Sequence, residues 1–248
     1  MKNEQKMNRD ALLNGDIRKL AESRPGQYKL MPDDVRQKLV RDTIANAPDK
    51  TEFRIFAYGS LIWNPAIEVE STNACRIDGY HRSFCFWTVL GRGSAELPGL
   101  MMGLESGGTC DGIAYSIAQD KLETELDILF RREMMSYAYK PVWVKAKYPD
   151  NTTAAGEDLL TFVVDTNNGR YCSERDDATV VKTLATAEGP LGRNCDYLYQ
   201  LVEHLEALGY DDPAMTELAH KVRDYQTCLL YTSPSPRDAT LSRMPSSA

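Results

Sequence analysis

The sequence is poor in histidine: only His81, His204 and His220 occur among its 248 residues, and no HExxH motif is present. Serine-hydrolase and metallohydrolase chemistry therefore has little imidazole to work with. The six cysteines, Cys75, Cys85, Cys110, Cys172, Cys195 and Cys228, form no CxxC pair and follow no regular spacing. A zinc or disulfide framework is poorly supported, and reduced thiols in a cytosolic chain are the better expectation. No stretch approaches the roughly 20 apolar residues of a membrane span, and the opening MKNEQKMNRD lacks the apolar core of a signal peptide. An excess of basic residues is also lacking. The formal net charge is −7, which argues against a nucleic-acid binder but leaves room for a small anionic substrate in a local pocket of opposite sign. There is no P-loop, and Gly91-Arg92-Gly93-Ser94 is too short for a dinucleotide fingerprint. These absences predict a cytoplasmic chain with no nucleic-acid or membrane partner.

What is present divides into three parts. Residues 1–50 read as a helical extension of two short helices, the second running from Asp33-Asp34 through Val35, Leu39 and Thr43 and stopping before Pro48. Little functional content is expected there. Residues 51–231 form the main domain. It opens with short apolar strands at Arg54–Tyr58, Ser83–Leu90, Leu100–Leu104, Gly112–Ile117, Tyr139–Tyr148 and Leu159–Val164, which suggests a mixed or antiparallel barrel-like sheet. One helix interrupts them, and helices follow at Ala178–Ala187, after a capping Asn194, and from Asp212-Pro213. Residues 232–248, rich in Ser and Pro without an apolar period, read as a disordered tail, native to the domain or not. The fold class is α+β, a small mixed β-barrel-like sheet with flanking helices.

Two stretches carry chemistry. In Phe56-Ala57-Tyr58-Gly59-Ser60-Leu61-Ile62-Trp63-Asn64-Pro65 a strand ends in a Tyr and a Gly-Ser turn. Gly59 permits positive φ and close approach of another molecule to the backbone. Successive N–H groups there could converge on an anion or a developing oxyanion, although an ordinary turn would look the same. The second stretch is the helix from Asp120, where Asp120 and Glu123 outline a capping box. Its stripe Leu122, Leu126, Leu129 and Phe130 continues onto Glu133, while Glu123, Glu125 and Asp127 fall mostly on or near the polar side. Burial would raise the Glu133 pKa, as a general acid/base near neutrality requires. The alternative is an ion pair with Arg131 or Arg132 at a fraying helix end.

Arg82 and Arg92 are either partners for substrate carboxylates or solvated surface charges. Trp87 and Trp143 read as core, His81 as a structural hydrogen-bonding residue and Cys85 as buried and inert; the role of Cys195 stays open.

These stretches belong to an ordered set. After the YGSL turn come Gly79-Tyr80-His81-Arg82-Ser83-Phe84-Cys85, Arg92-Gly93-Ser94, Pro98-Gly99 and Gly112-Ile113-Ala114-Tyr115. Phe130-Arg131-Arg132-Glu133-Met134 with Tyr139 and Pro141 follows, then Gly189-Pro190-Leu191-Gly192 with Asn194 and Tyr197-Leu198. Over about residues 53–225 the set resembles the ChaC-type gamma-glutamylcyclotransferases, with Arg92-Gly93-Ser94 where RGT is often seen. The resemblance implies a compact mixed α/β barrel without metal or cofactor, acting on gamma-glutamyl peptides, chiefly glutathione, as a carbon–nitrogen lyase releasing 5-oxoproline and Cys-Gly. It implies that Tyr58, Gly59, Ser60 and Leu61 hold the gamma-glutamyl group, that Glu133 is the catalytic acid/base, and that Tyr197 lines the pocket, with Arg92 a candidate for a substrate carboxylate. Other gamma-glutamyl amines as substrates, or a non-catalytic binding domain, are the alternatives.

Overall fold

The computed structural model describes residues 7–23, 29–149 and 156–232; the tail expected to be disordered lies outside them. Five strands, β1 (Phe53–Ala57), β2 (Ser71–Thr88), β3 (Gly99–Ile117), β4 (Tyr139–Lys147) and β5 (Glu157–Val164), close into a barrel in the order β1-β3-β2-β4-β5. All neighbours are antiparallel except β5 and β1, which seal the barrel in parallel where Ile55 pairs with Leu160. Closure leaves these strands no open edge, and Phe53, Ile55, Phe56, Leu100, Leu104 and Phe162 are fully buried.

The six expected strand segments resolve into five strands. Leu100–Leu104 and Gly112–Ile117 are the two ends of β3, and Ser83–Leu90 is the second half of β2. Between the ends, Gly107 (φ 99°) and Gly108 (φ 73°) lie opposite a bulge at Gly79 (φ 84°). Such glycines resemble turn signals in sequence, but here they let both strands bend while the ladder resumes on either side.

Helix α4 (Leu122–Glu133) lies between β3 and β4 and buries Leu122, Leu126, Leu129 and Phe130, the stripe its periodicity predicts. The expected Asp120–Glu123 capping box does not form; Lys121 is the N-cap and makes no side-chain cap bond. Glu125, expected near the polar side, is also buried. The reason is tertiary, because the N-terminal extension covers a second face of α4. The extension has three helices, α1 (Arg9–Leu13), α2 (Asp16–Glu22) and α3 (Asp33–Ala45), since Gly15 at φ 70° divides the first expected helix in two. Arg9 holds Glu125 with two hydrogen bonds of 2.6 and 2.8 Å, Arg36 pairs with Asp127, and Met31 N donates to Met135 O at 2.9 Å.

The remaining helices are α5 (Asp177–Thr186), α6 (Asn194–Ala207) and α7 (Pro213–Thr232). A two-residue ribbon, β6 (Glu188–Gly189) with β7 (Gly192–Arg193), joins α5 to α6. Asn194 is not the cap of α6 but its first residue. Fully buried, its side chain accepts from Leu100 N (2.7 Å) and donates to Leu100 O (2.8 Å), which fixes α6 to β3.

Candidate active site

The seven residues singled out as a site in the sequence line one cavity of about 450 Å³ where β1 ends, a volume typical of small-molecule sites. Tyr58 follows β1 and is buried, its hydroxyl donating to Phe162 O (2.9 Å). Gly59 then leads into a single 3-10 turn over Ser60–Ile62. Gly59 has φ −131° rather than the positive φ the turn suggested; its requirement is space, since a Cβ there would stand 2.7 Å from the Tyr197 hydroxyl. The turn is braced from beneath by Tyr115, whose hydroxyl lies 3.0 Å from Leu61 O. The Ser60 N–H, expected to face a ligand bare, donates to the Tyr197 hydroxyl at 3.1 Å.

Glu133 ends α4 and turns its carboxylate to the cavity, keeping 17% of its side-chain surface exposed. Burial raises its pKa above the ordinary carboxylate value, and Arg132 partly opposes the rise. Arg132 Nε stands 3.1 Å from Glu133 Oε1. The two sequence readings of Glu133 therefore describe one arrangement, an acid that is ion-paired and also faces the cavity. Arg132 is the residue the sequence reading missed. Only 4% exposed, it also donates to Ser60 Oγ at 2.8 Å and to Asn64 O, so one guanidinium spans the turn and the acid. Its only signal was its place beside Glu133, where it read as a simple counter-ion.

Tyr197 on α6 forms the opposite wall, held by edge contacts with Trp63 (5.4 Å between ring centroids) and Phe84 (5.8 Å). Arg92 lies over its ring at 5.6 Å and donates to Arg193 O. Burial lowers the Arg92 pKa, and no carboxylate lies within ion-pairing distance of it among the described residues, which leaves its charge available to an anionic ligand. The loop presenting Arg92 is set by backbone-to-backbone packing. A Cβ on Gly93 would meet Gly99 N, and one on Gly189 would meet Gly93 O, so the RGS, PG and GPLG glycines form one close-packed knot. The polar lining also includes Tyr139, whose hydroxyl donates to Met102 O (2.7 Å), Gln200, whose buried Oε1 has no hydrogen-bond partner, and Asn64, Asp196, Tyr199 and Glu203.

Arg82 is neither of the things expected of it. It is buried outside this cavity, donating to Tyr58 O (2.6 Å) and pairing with Asp212 (2.9 Å), so it braces the turn from behind. Cys85 is buried with its thiol pushed up to about 12 by desolvation. Cys195 is also fully buried, receives a hydrogen bond from Gln226 and lies outside the cavity lining. His81 Nδ1 lies 3.0 Å from Gly107 O, and Trp143 meets Phe53 edge-on. Among the described residues no group of His, Cys, Asp and Glu could hold a metal ion, and no helix is long and apolar enough to cross a membrane.

Known proteins resemble this chain in sequence and fold. The Escherichia coli (strain K12) glutathione-specific gamma-glutamylcyclotransferase is 35% identical over 215 residues, 87% of this chain and 91% of that protein. The Arabidopsis thaliana gamma-glutamylcyclotransferase 2-3 is 30% identical, covering 68% of this chain and 87% of its own length. A crystal structure of a gamma-glutamyl cyclotransferase specific to glutathione from yeast shares the fold, with a TM-score of 0.63 at 19% identity over 71% of this chain and 97% of that one. The family model described as ChaC-like protein matches residues 53–225, the span that holds the barrel, the turn after β1, Glu133 and Tyr197, and the chain therefore belongs to the ChaC-like family.

Proposed function

We propose that this protein is a cytoplasmic gamma-glutamylcyclotransferase that cleaves glutathione to 5-oxoproline and Cys-Gly. The observation that carries this reading is the joining of an acid raised by burial, Glu133, to the Gly59–Leu61 turn through one arginine at the edge of one cavity. The name of the Escherichia coli relative supplies the substrate. Five cysteines buried without disulfides suit a reducing compartment.

The α-amine of the gamma-glutamyl residue attacks the γ-carbonyl carbon of the same residue, closing a five-membered ring. Holding the chain folded so that amine and carbonyl meet supplies much of the rate. Glu133 as carboxylate takes the proton the amine must lose. The tetrahedral oxyanion is met by N–H groups of the Gly59–Leu61 turn, with the Tyr197 hydroxyl yielding its hydrogen bond from Ser60 or adding its own donor. As the carbon–nitrogen bond to cysteine breaks, protonated Glu133 returns the proton to the departing amine, so one residue with a raised pKa serves both steps. Arg92 takes a substrate carboxylate.

The test is to incubate purified protein with glutathione and quantify 5-oxoproline and Cys-Gly. Glu133→Gln should lower release by about 10³-fold, within the range for losing a general acid/base, while circular dichroism and Tm report an intact fold. Normal turnover by the Gln variant would overturn the assignment of the base. Release from other gamma-glutamyl amines but not from glutathione would overturn the substrate and leave the chemistry standing.

A further inference from the structure

The cavity has one wall that lies outside the matched domain. Met7 lines it, although the family match begins at residue 53 and the sequence assigned the extension little function. One hydrogen bond holds Met7 itself, and further contacts anchor Asn8 and Arg9, which follow it. Asn64 Nδ2 donates to Met7 O at 3.3 Å, and the Asn64 carbonyl accepts from Arg132, the side chain that also holds Ser60 and Glu133. Asn8 caps α1, its Oδ1 accepting from Ala11 N at 2.9 Å. Arg9 is clamped in two places onto buried Glu125 of α4, and Glu125 Oε2 also accepts from Glu68 N at 2.9 Å. The start of the extension is thus tied both to the turn after β1 and to the helix that carries the acid.

We infer that this N-terminal strap is part of the substrate site, and that Met7 selects the leaving amine of the gamma-glutamyl compound. The inference rests on the function proposed above. In that reading the Gly59–Leu61 turn and Glu133 hold the gamma-glutamyl end. Met7 is reached through Asn64, beyond the far end of the turn, and so borders the space left for the departing group. Its unbranched thioether adds an adaptable apolar surface to that space. A pocket distinguishes substrates through the volume and contacts it offers, and one methylene more or less in an apolar pocket changes discrimination by roughly 10- to 200-fold.

The full chain, wild type and with Met7→Ala or Met7→Phe, is assayed on glutathione and on gamma-glutamyl-p-nitroanilide, whose leaving amine is bulky and aromatic. Met7→Ala should raise the kcat/KM ratio of the anilide to glutathione by about tenfold, chiefly through KM, and Met7→Phe should lower it. An active wild type whose ratio moves by less than about twofold in both variants overturns the inference and leaves the proposed function intact. Glutathione binding to the Glu133→Gln protein, followed by calorimetry, reads the same wall without turnover: Met7→Ala in that background should weaken affinity several-fold, and unchanged affinity overturns the inference. If wild type neither binds nor cleaves either compound, the proposed function fails and the inference fails with it.

Discussion

Arg132 serves three acceptors in different parts of the site: the Glu133 carboxylate, the Ser60 hydroxyl and the Asn64 carbonyl. Its charge opposes the upward shift that burial imposes on Glu133. Replacing it by a neutral residue therefore raises the Glu133 pKa further, and less carboxylate is available to accept a proton at neutral pH. Arg132→Gln should move the acid limb of the kcat/KM profile to higher pH and lower kcat by about tenfold or more through the loosened turn; a pH-rate series on wild type and variant measures both. An unshifted limb would mean that Arg132 does not tune the acid. Gly59 makes a different kind of demand. A methyl there would stand 2.7 Å from the Tyr197 hydroxyl, and Trp63, Phe84 and Arg92 leave that ring little freedom to retreat. Gly59→Ala should cost about 1–3 kcal/mol by overpacking and about 10²-fold in kcat/KM by misplacing the turn, read by denaturant melts and steady-state kinetics. The sequence indicated that Gly59 mattered for dihedral freedom and for close approach of another molecule to its backbone; the structure finds no positive φ and places a side chain 138 positions away in that space.

At the scale of elements, α4 was largely legible. Its apolar period named Leu122, Leu126, Leu129 and Phe130 as buried and placed Glu133 on the same stripe, as the structure finds. Glu125 was misread because a single stripe presumes a single partner, and the extension supplies α4 with a second. With Arg9 gone, Glu125 would remain buried with only the Glu68 N–H as partner. Arg9→Ala should therefore destabilise the fold by about 3 kcal/mol, the low end for removing one partner of a buried pair, and a denaturation midpoint shift measures it. A shift below about 0.5 kcal/mol would show the pair behaving as an ordinary surface bridge. The β2–β3 ladder was misdivided for a related reason. Gly79, Gly107 and Gly108 interrupt the apolar alternation, yet strand pairing on both sides carries the ladder past them.

The whole molecule depends on closure: β5 returns to pair with β1, and α6 is fixed to β3 through Asn194. Beyond that frame, the end of α7 adds little. Ala219 and Val222 are buried, while Leu230 and Tyr231 stand exposed at its C-terminal end. Truncation after Tyr231 should leave kcat/KM for glutathione within about twofold and Tm nearly unchanged, because no described core contact is removed; a larger loss in either would assign the tail a role. By itself the sequence determined the period of each helix, the order of motifs, the poverty in histidine, and the position of Glu133 on an apolar face. All of these are local properties of the chain or properties of its composition. Only the tertiary structure decided that Arg82 braces the turn from behind, that Arg132 joins turn to acid, that Tyr197 takes the Ser60 N–H, and that Met7 reaches the cavity. Each of these is a meeting of side chains or backbone groups far apart in sequence, and periodicity along a chain carries no information about which distant residue will fill a given space.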